Sequence, residues 1–349
     1  MLRVNRISLA KLEAGYAVAT IRLNGTMYYL AGSEAEGGGY VLINSKTKAV
    51  FSLNGIDGGI MSFIPIPEKE GAFLAIQKFY PVFRSEEAQI VHVQMIPKPD
   101  ATVTCRVEAV CKLPFVHRIA LVGKPGNRKI IAATLCGGKE FTDDWSSPGA
   151  VYEIQMPETF DGNAFANPIL LGLHKNHGMY LSQFHGEESI WIGAQEGVLE
   201  LREIEEGTWM IRKVIDIPTG DMWLSDIDGD GNQEMAVIQP FHGNKLAVYR
   251  KNGKKYEEIF SSPLEFGHVV WMGQIFGEFY VIGCSRGGKK EISMHRIRRT
   301  GEGYGFESRV IQEGLGIAQI AVYKEENQVH ILTSDHEINE IGEFILMRS

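Results

Sequence analysis

The sequence predicts an all-β fold, a seven-bladed β-propeller in which residues 1–349 form a single domain. Three observations carry that expectation. Many short apolar, β-rich runs are separated by glycine-containing turns, and helical periodicity is scarce. The runs recur as a unit whose spacing, roughly 43 to 60 residues, is close to that of a four-stranded blade. The two ends of the chain each hold part of one unit.

Each unit opens with an apolar run, and these begin near Tyr16, Gly59, His117, His177, Met222, His268 and Ala318. A short turn leads to a second run: 27–31, 72–76, 129–134, 189–193, 234–238, 279–284 and 329–333. Third runs follow at 39–43, 89–95, 150–156, 198–204, 245–249 and 291–297. Fourth runs are less regular, at 102–110, 209–215, 257–260 and 306–311. The seventh unit stops after a third strand, 343–348, while a spare strand, 2–9, precedes the first unit. The spare strand is therefore expected to complete the last blade. That closure would remove exposed sheet edges, which otherwise template aggregation.

Composition narrows the function classes. A net charge of −8 gives no basic footprint for nucleic acid. No apolar stretch reaches the length of a membrane span, and the first sixteen residues lack an apolar signal core. The four cysteines form no CxxC pair, so reduced thiols and a cytoplasmic setting are expected. Nothing in the sequence fixes an oligomeric state.

One loop has the composition of a hard-cation cage. Asp226-Ile227-Asp228-Gly229-Asp230-Gly231-Asn232-Gln233-Glu234 joins two apolar runs. Asp226, Asp228, Asp230 and Glu234 supply carboxylates and two glycines supply tight turns, a pattern suited to Ca²⁺ or Mg²⁺. The last acid is the ninth residue of the loop rather than the twelfth, and its flanks read as strands rather than helices. The loop therefore resembles the metal loop of FG-GAP/VCBS-type propeller blades. It lies in the turn between first and second strands, and His185 occupies the matching turn of its own blade. A structural role follows from that position.

The chemically rich face is the opposite one. His117, His177 and His268 each begin the inner strand of a blade. Equivalent positions in different blades converge, and three imidazoles make a site for Zn²⁺ or a similar divalent ion with a position left for substrate. A histidine at any one strand start is more often simply a hydrogen-bonded side chain; the repetition is what favours a ligand set. Turns on this face add Lys139, Asp143, Asp144 and Trp145 in one loop, His242 in Pro240–Gly243, Arg286 in Ser285–Gly287, and His336 in Ser334–Glu337. A charged aromatic loop suits a polyhydroxylated small molecule. Much of this polarity would serve solubility alone.

Five segments together resemble the propeller domain of fungal aldos-2-ulose dehydratase/isomerase. They are Pro114–Ile119, Asp143–Gly149 (DDWSSPG), Lys175–Gly178 (KNHG), Asp226–Glu234 and Pro240–Gly243. The resemblance runs from about Pro114 to Glu340. It implies a zinc site in the propeller and removal of water from a ketosugar such as 1,5-anhydro-D-fructose or glucosone. The cupin and lectin-like parts of that family have no counterpart in this sequence, so the resemblance supports dehydration and leaves open whether isomerisation accompanies it.

The expected activity is thus that of a metal-dependent carbon–oxygen lyase. The metal polarises the ketone, the adjacent C–H is acidified, and a histidine serves as acid and base. His242 is the first choice for that role, with His336, Asp143 and Asp144 in reserve. Lys139, Trp145 and Arg286 are expected to position the sugar. The alternatives are a noncatalytic propeller that binds a glycan or protein, and a sugar isomerase or epimerase using the same enolate.

Overall fold

The computed structural model describes residues 2–348 apart from 54, 83, 99–101, 254 and 302. It is all-β, with seven four-stranded antiparallel sheets arranged as a seven-bladed β-propeller. Blade one comprises β2 (Gly15–Leu23), β3 (Thr26–Ser33), β4 (Tyr40–Asn44) and β5 (Val50–Leu53). Blade two comprises β6 (Phe63–Pro65), β7 (Ala72–Gln77), β8 (Gln89–Pro97) and β9 (Val103–Lys112). Blade three comprises β10 (Val116–Lys124), β11 (Asn127–Thr134), β12 (Gly149–Gln155) and β13 (Asn167–Leu173). Blade four comprises β14 (Gly178–Phe184), β15 (Glu187–Ala194), β16 (Gly197–Glu205) and β17 (Thr208–Ile215). Blade five comprises β18 (Asp221–Ser225), β19 (Glu234–Gln239), β20 (Lys245–Asn252) and β21 (Lys255–Pro263). Blade six comprises β22 (Gly267–Ile275), β23 (Glu278–Ser285), β24 (Ile292–Thr300) and β25 (Gly303–Gln312). The seventh sheet has the order β26 (Ile317–Lys324), β27 (Gln328–Asp335), β28 (Glu340–Arg348), β1 (Leu2–Lys11), so the first strand does complete the last blade.

The second strands are buried on both faces, which explains their unbroken apolar character. Ala72–Gln77 and Glu234–Gln239 are buried at every position. The fourth strands lie at the exposed edge. Thr208–Ile215 and Asn167–Leu173 are largely solvated, so little periodicity marks them in the sequence. For that reason β5 and β13 escaped the sequence reading. β5 has four residues, and β13 carries Pro168 and Gly172.

By internal contacts the chain divides into two compact units, one formed mainly by residues 175–318 and the other by 5–174 with 319–346. In the first unit, blades four and five share a core of Trp191, Val198, Met222, Leu224, Met235 and Val237. Blades five and six share Ile238, Leu246, Val248, Val270, Met272 and Val281. Each fully buried aliphatic side chain of this kind contributes about 1.5–3 kcal/mol. In the second unit, Val18, Tyr29 and Ile43 pack with Leu332 and Ile341. Arg6 of β1 meets Asp335 of β27 at 2.5 Å and Glu340 of β28 at 2.9 Å, which fixes the added strand in register. Among the described residues, no helix is long and apolar enough to cross a membrane.

Candidate metal centre

Three strand-entry and turn segments of the 175–318 unit bring His177, His242 and His268 together. Their ring centroids form a near-equilateral triangle, with separations of 5.2, 5.1 and 5.1 Å. One potential ligand nitrogen from each lies within 4.8 Å of the others. His177 and His268 are almost wholly buried, and His242 is partly exposed.

The backbone sets the orientation of two rings. His177 Nδ1 lies 2.9 Å from the Gly220 carbonyl oxygen, and His268 Nδ1 lies 2.7 Å from that of Ala318. A carbonyl oxygen only accepts, so each Nδ1 carries the hydrogen and each Nε2 keeps its lone pair. A backbone acceptor that fixes tautomer and ring plane is the usual support of a metal-ligating imidazole. Tetrahedral zinc with bonds of about 2.0–2.1 Å needs nitrogens about 3.3 Å apart. The ligand nitrogens lie within 4.8 Å of one another, and side-chain rotation would bring them to that spacing around an ion. The residues present fit a divalent transition metal.

The chain bends sharply into these positions. Lys175 and Phe266 each precede a histidine by two residues and have φ of 53° and 55°, while His242 itself has φ of 47°. Non-glycine residues in the left-handed region cost about 1 kcal/mol or more, so the surrounding packing holds them there. Phe241 stacks on His242 at 3.9 Å and meets His177 edge-on at 5.2 Å. Phe266 meets His242 at 4.4 Å. Lys175 Nζ lies 6.0 Å from the Phe241 ring, and the Arg286 guanidinium lies 5.6 Å from the Phe266 ring. Two aromatic rings therefore wall the histidines, each with a cation beside it.

His117, expected among the ligands, does not belong to this group, and His242, expected as the acid–base residue, does. Blade five explains the exchange. Gly220 holds the strand-entry position there: its N–H bonds Ile238 O, as that of His177 bonds Gly193 O in blade four. A Cβ on Gly220 would lie 2.8 Å from Phe241 Cα and 3.0 Å from Pro240 O. The absence of a side chain lets the β19–β20 turn cross the strand entry and deliver His242 instead. His117 has neighbours of its own in the other unit. Its Nε2 is 3.2 Å from the Tyr16 hydroxyl, and its ring meets Phe79 edge-on at 5.4 Å.

The other predicted site residues engage local partners. Lys139 Nζ donates to the Thr142 and Asp144 carbonyls at 2.7 Å each and sits 3.4 Å from the Trp145 ring centre. The Asp144 carboxylate accepts from Ser146 Oγ, Ser146 N and Glu140 N. Those bonds, the Ser146 hydroxyl foremost, pull its pKa down to about 2. Asp143 is exposed. His336 lies between Glu34, at 2.6 Å, and Glu337, at 3.1 Å. Lys139, Asp144 and Trp145 thus shape their own loop, and His336 is held between carboxylates.

The acidic loop forms the second group of potential ligands. Asp226, Asp228 and Glu234 have carboxylate oxygens within 4.8 Å of one another. Asp230 turns instead to Asn232 and Arg250. The Asp226 oxygens accept from Gly229 N at 2.7 Å and Gly231 N at 3.1 Å, so they set the loop's turns. Asp228 is tied to Tyr304 and, at 3.3 Å, to Arg250. Glu234 is fully buried; one oxygen accepts from Ile227 N at 3.0 Å and the other, Oε1, has no hydrogen-bond partner among the described residues. Burial among these acids raises its pKa to about 7. An orphaned buried carboxylate oxygen facing two aspartates fits a hard cation.

No protein-family model matches the sequence, and no curated protein does either. Solved structures share the fold. A protein of Bacteroides fragilis provisionally named a 6-phosphogluconolactonase aligns with a TM-score of 0.54 at 9% identity, over 93% of this chain and 92% of that one. One from Bacteroides uniformis with the same provisional name aligns with a TM-score of 0.53 at 10% identity, over 93% and 94%. At such identity the likeness establishes the propeller alone. It gives no support to membership of the aldos-2-ulose dehydratase family. The expectation of a hydro-lyase is corrected on the same finding: the similar structures bear the name of lactonases, which are hydrolases. One propeller scaffold hosts many chemistries, so five short shared segments do not determine the reaction.

Proposed function

We propose that the chain is a metal-dependent hydrolase of a carbohydrate ester or lactone, with His177, His242 and His268 holding a divalent transition metal. The observation that carries this reading is the histidine triangle with two rings locked by backbone carbonyls. The lactonase names of the similar structures support the substrate class and the hydrolytic direction. A metal bound at such a centre supplies Lewis acidity, polarising an ester carbonyl and acidifying water.

The chain's own residues do the rest. Gly220 and Ala318 hold two imidazoles in the ligating tautomer. Phe241 and Phe266 wall the site, which lowers the local dielectric and strengthens charge interactions there. Lys175 and Arg286 stand beside those rings, where they can orient the polar groups of a sugar.

The test couples metal content to turnover. Elemental analysis of the purified protein should find a transition metal near one per chain, lost in His242→Ala and kept in His117→Ala. Sugar lactones should be hydrolysed with acid release measurable by pH-stat, at a rate that follows metal content. Absence of a transition metal, or its retention in His242→Ala, would sink the proposed centre. Metal without turnover of any lactone or ester would instead favour a binding propeller.

A further inference from the structure

Asp221 stands where three blade entries of the 175–318 unit meet. It opens β18 and follows Gly220, whose carbonyl holds His177. The residue is 8% exposed, and its Oδ2 accepts from the Val270 N–H at 3.0 Å. Val270 lies two residues beyond His268 on β22. β22 is the end strand of its sheet, so the carboxylate stands in for a strand acceptor that one edge lacks. Gly178, next after His177, closes the third side: a Cβ there would lie 2.9 Å from Asp221 Cα. One residue therefore abuts the segments that carry two of the imidazoles and adjoins the glycine that admits the third.

The imidazoles themselves supply no negative charge. A ligating histidine is neutral, and the nearby cations Lys175 and Arg286 add to the positive side. A divalent ion held here would therefore be a buried charge in need of an anion. Three acids of this unit are buried among the described residues: Glu200, Asp221 and Glu234. Arg202 and Arg212 already engage Glu200. Glu234 lies opposite Ser225 at the far end of β18, about 13 Å of strand from Asp221. Glu196, Glu265 and Glu291 lie outside the strands and reach solvent, where water weakens their field. Among the described residues, that leaves Asp221 as the buried carboxylate at the histidine end.

We propose that Asp221 is the charge partner of the histidine centre, an anion anchored on a backbone N–H that favours a divalent ion there without ligating it. The carboxylate is not among the converging ligand atoms, so its action is electrostatic. Burial leaves little water to screen it. The inference rests on the histidine centre of the proposed function and not on the reaction catalysed there. A buried anion attracts a cation and carries a desolvation cost when the cation is absent. Removing the charge alone should therefore weaken metal binding and spare the fold, two effects that a merely structural residue would not separate.

Asp221→Asn is the test, because the amide oxygen still accepts from the Val270 N–H while the charge is gone. Titration of the metal-free protein with Co²⁺ and with Zn²⁺ gives the affinities. The visible spectrum of bound Co²⁺ reports the ligand set, and urea unfolding without metal reports the fold. Asp221→Asn should weaken both metals about 10- to 100-fold, with an unaltered Co²⁺ spectrum and a metal-free stability at or above that of the wild type. Three results would overturn the proposal. Unchanged affinity would deny the charge a role, and an altered Co²⁺ spectrum would make Asp221 a ligand. Metal-free stability that falls along with affinity would make it a structural residue. A wild type that binds neither metal would refute the histidine centre itself, whereas normal wild-type binding with an indifferent variant refutes the role of Asp221 alone.

Discussion

His177 Nδ1 donates to the carbonyl of Gly220 across 2.9 Å, and the same Gly220 is the residue over which the Pro240–Gly243 turn passes. One glycine therefore serves two of the three imidazoles. It orients the first through its carbonyl and admits the third by having no side chain. Gly220→Ala should push the turn away from the strand entry. Transition-metal affinity is expected to fall about 10- to 100-fold, the usual scale for loss of an outer-shell support. Overpacking should cost about 1–3 kcal/mol of stability. Metal titration beside urea unfolding measures both, and an unchanged metal affinity would refute the positioning role.

The acidic loop predicts a calcium effect separate from the histidine centre. A cation bound to the native loop and not to the unfolded chain stabilises by about 2.7 kcal/mol at one hundred times its Kd. Thermal unfolding should therefore shift upward with added Ca²⁺ and downward with a chelator. Asp226→Asn and Glu234→Gln should each remove the shift, since both contribute oxygens to the convergent set. Asp230→Asn should remove much less of it, because Asp230 faces Asn232 and Arg250. Equal loss in all three variants would show that the loop's conformation, and not this oxygen set, governs binding.

Arg286 and Lys175 should act on substrate capture. Each lies beside an aromatic wall of the histidine site rather than among the imidazoles. Alanine at either position should raise KM for a sugar lactone several-fold while leaving kcat nearly constant, the signature of an interaction equal in ground and transition states. Steady-state kinetics decide this. A fall in kcat with constant KM would place them in the chemical step instead.

How much of this was legible in the sequence follows from what each residue type reveals. The repeat was visible because buried second strands such as Ala72–Gln77 are continuously apolar. β13 was not, because its exposed edge needs no pattern. His177 and His268 could be paired by their shared position at strand starts. The entry of His242 into their group could not be seen the same way, because it depends on the missing side chain of Gly220, which lies at the entry of blade five and outside every motif. A signal did exist: blade five has Gly220-Asp221 where its neighbours have histidine, and the next turn holds His242. His185 was read as remote from the histidine face, yet nothing in sequence showed that its turn borders a cavity with Lys251 and Arg202.

His295 gives the stability a defined pH dependence. It is 2% exposed on β24, with its nitrogens at 3.1 Å from Ser293 Oγ and 2.7 Å from Ser308 Oγ. Burial lowers its pKa from 6.5 to about 4. The folded protein thus keeps this ring neutral over a range where the unfolded chain takes up a proton. The native state is fully favoured above pH 6.5, and stability is lost as pH falls from there toward 4. Each unit is worth about 1.4 kcal/mol, so the loss at pH 5 is about 2 kcal/mol. Urea unfolding at pH 7 and pH 5 should show that difference in the wild type and a smaller one in His295→Gln, which keeps a polar group near both serines but cannot titrate. Equal pH dependence in the two proteins would assign the acid sensitivity to other groups.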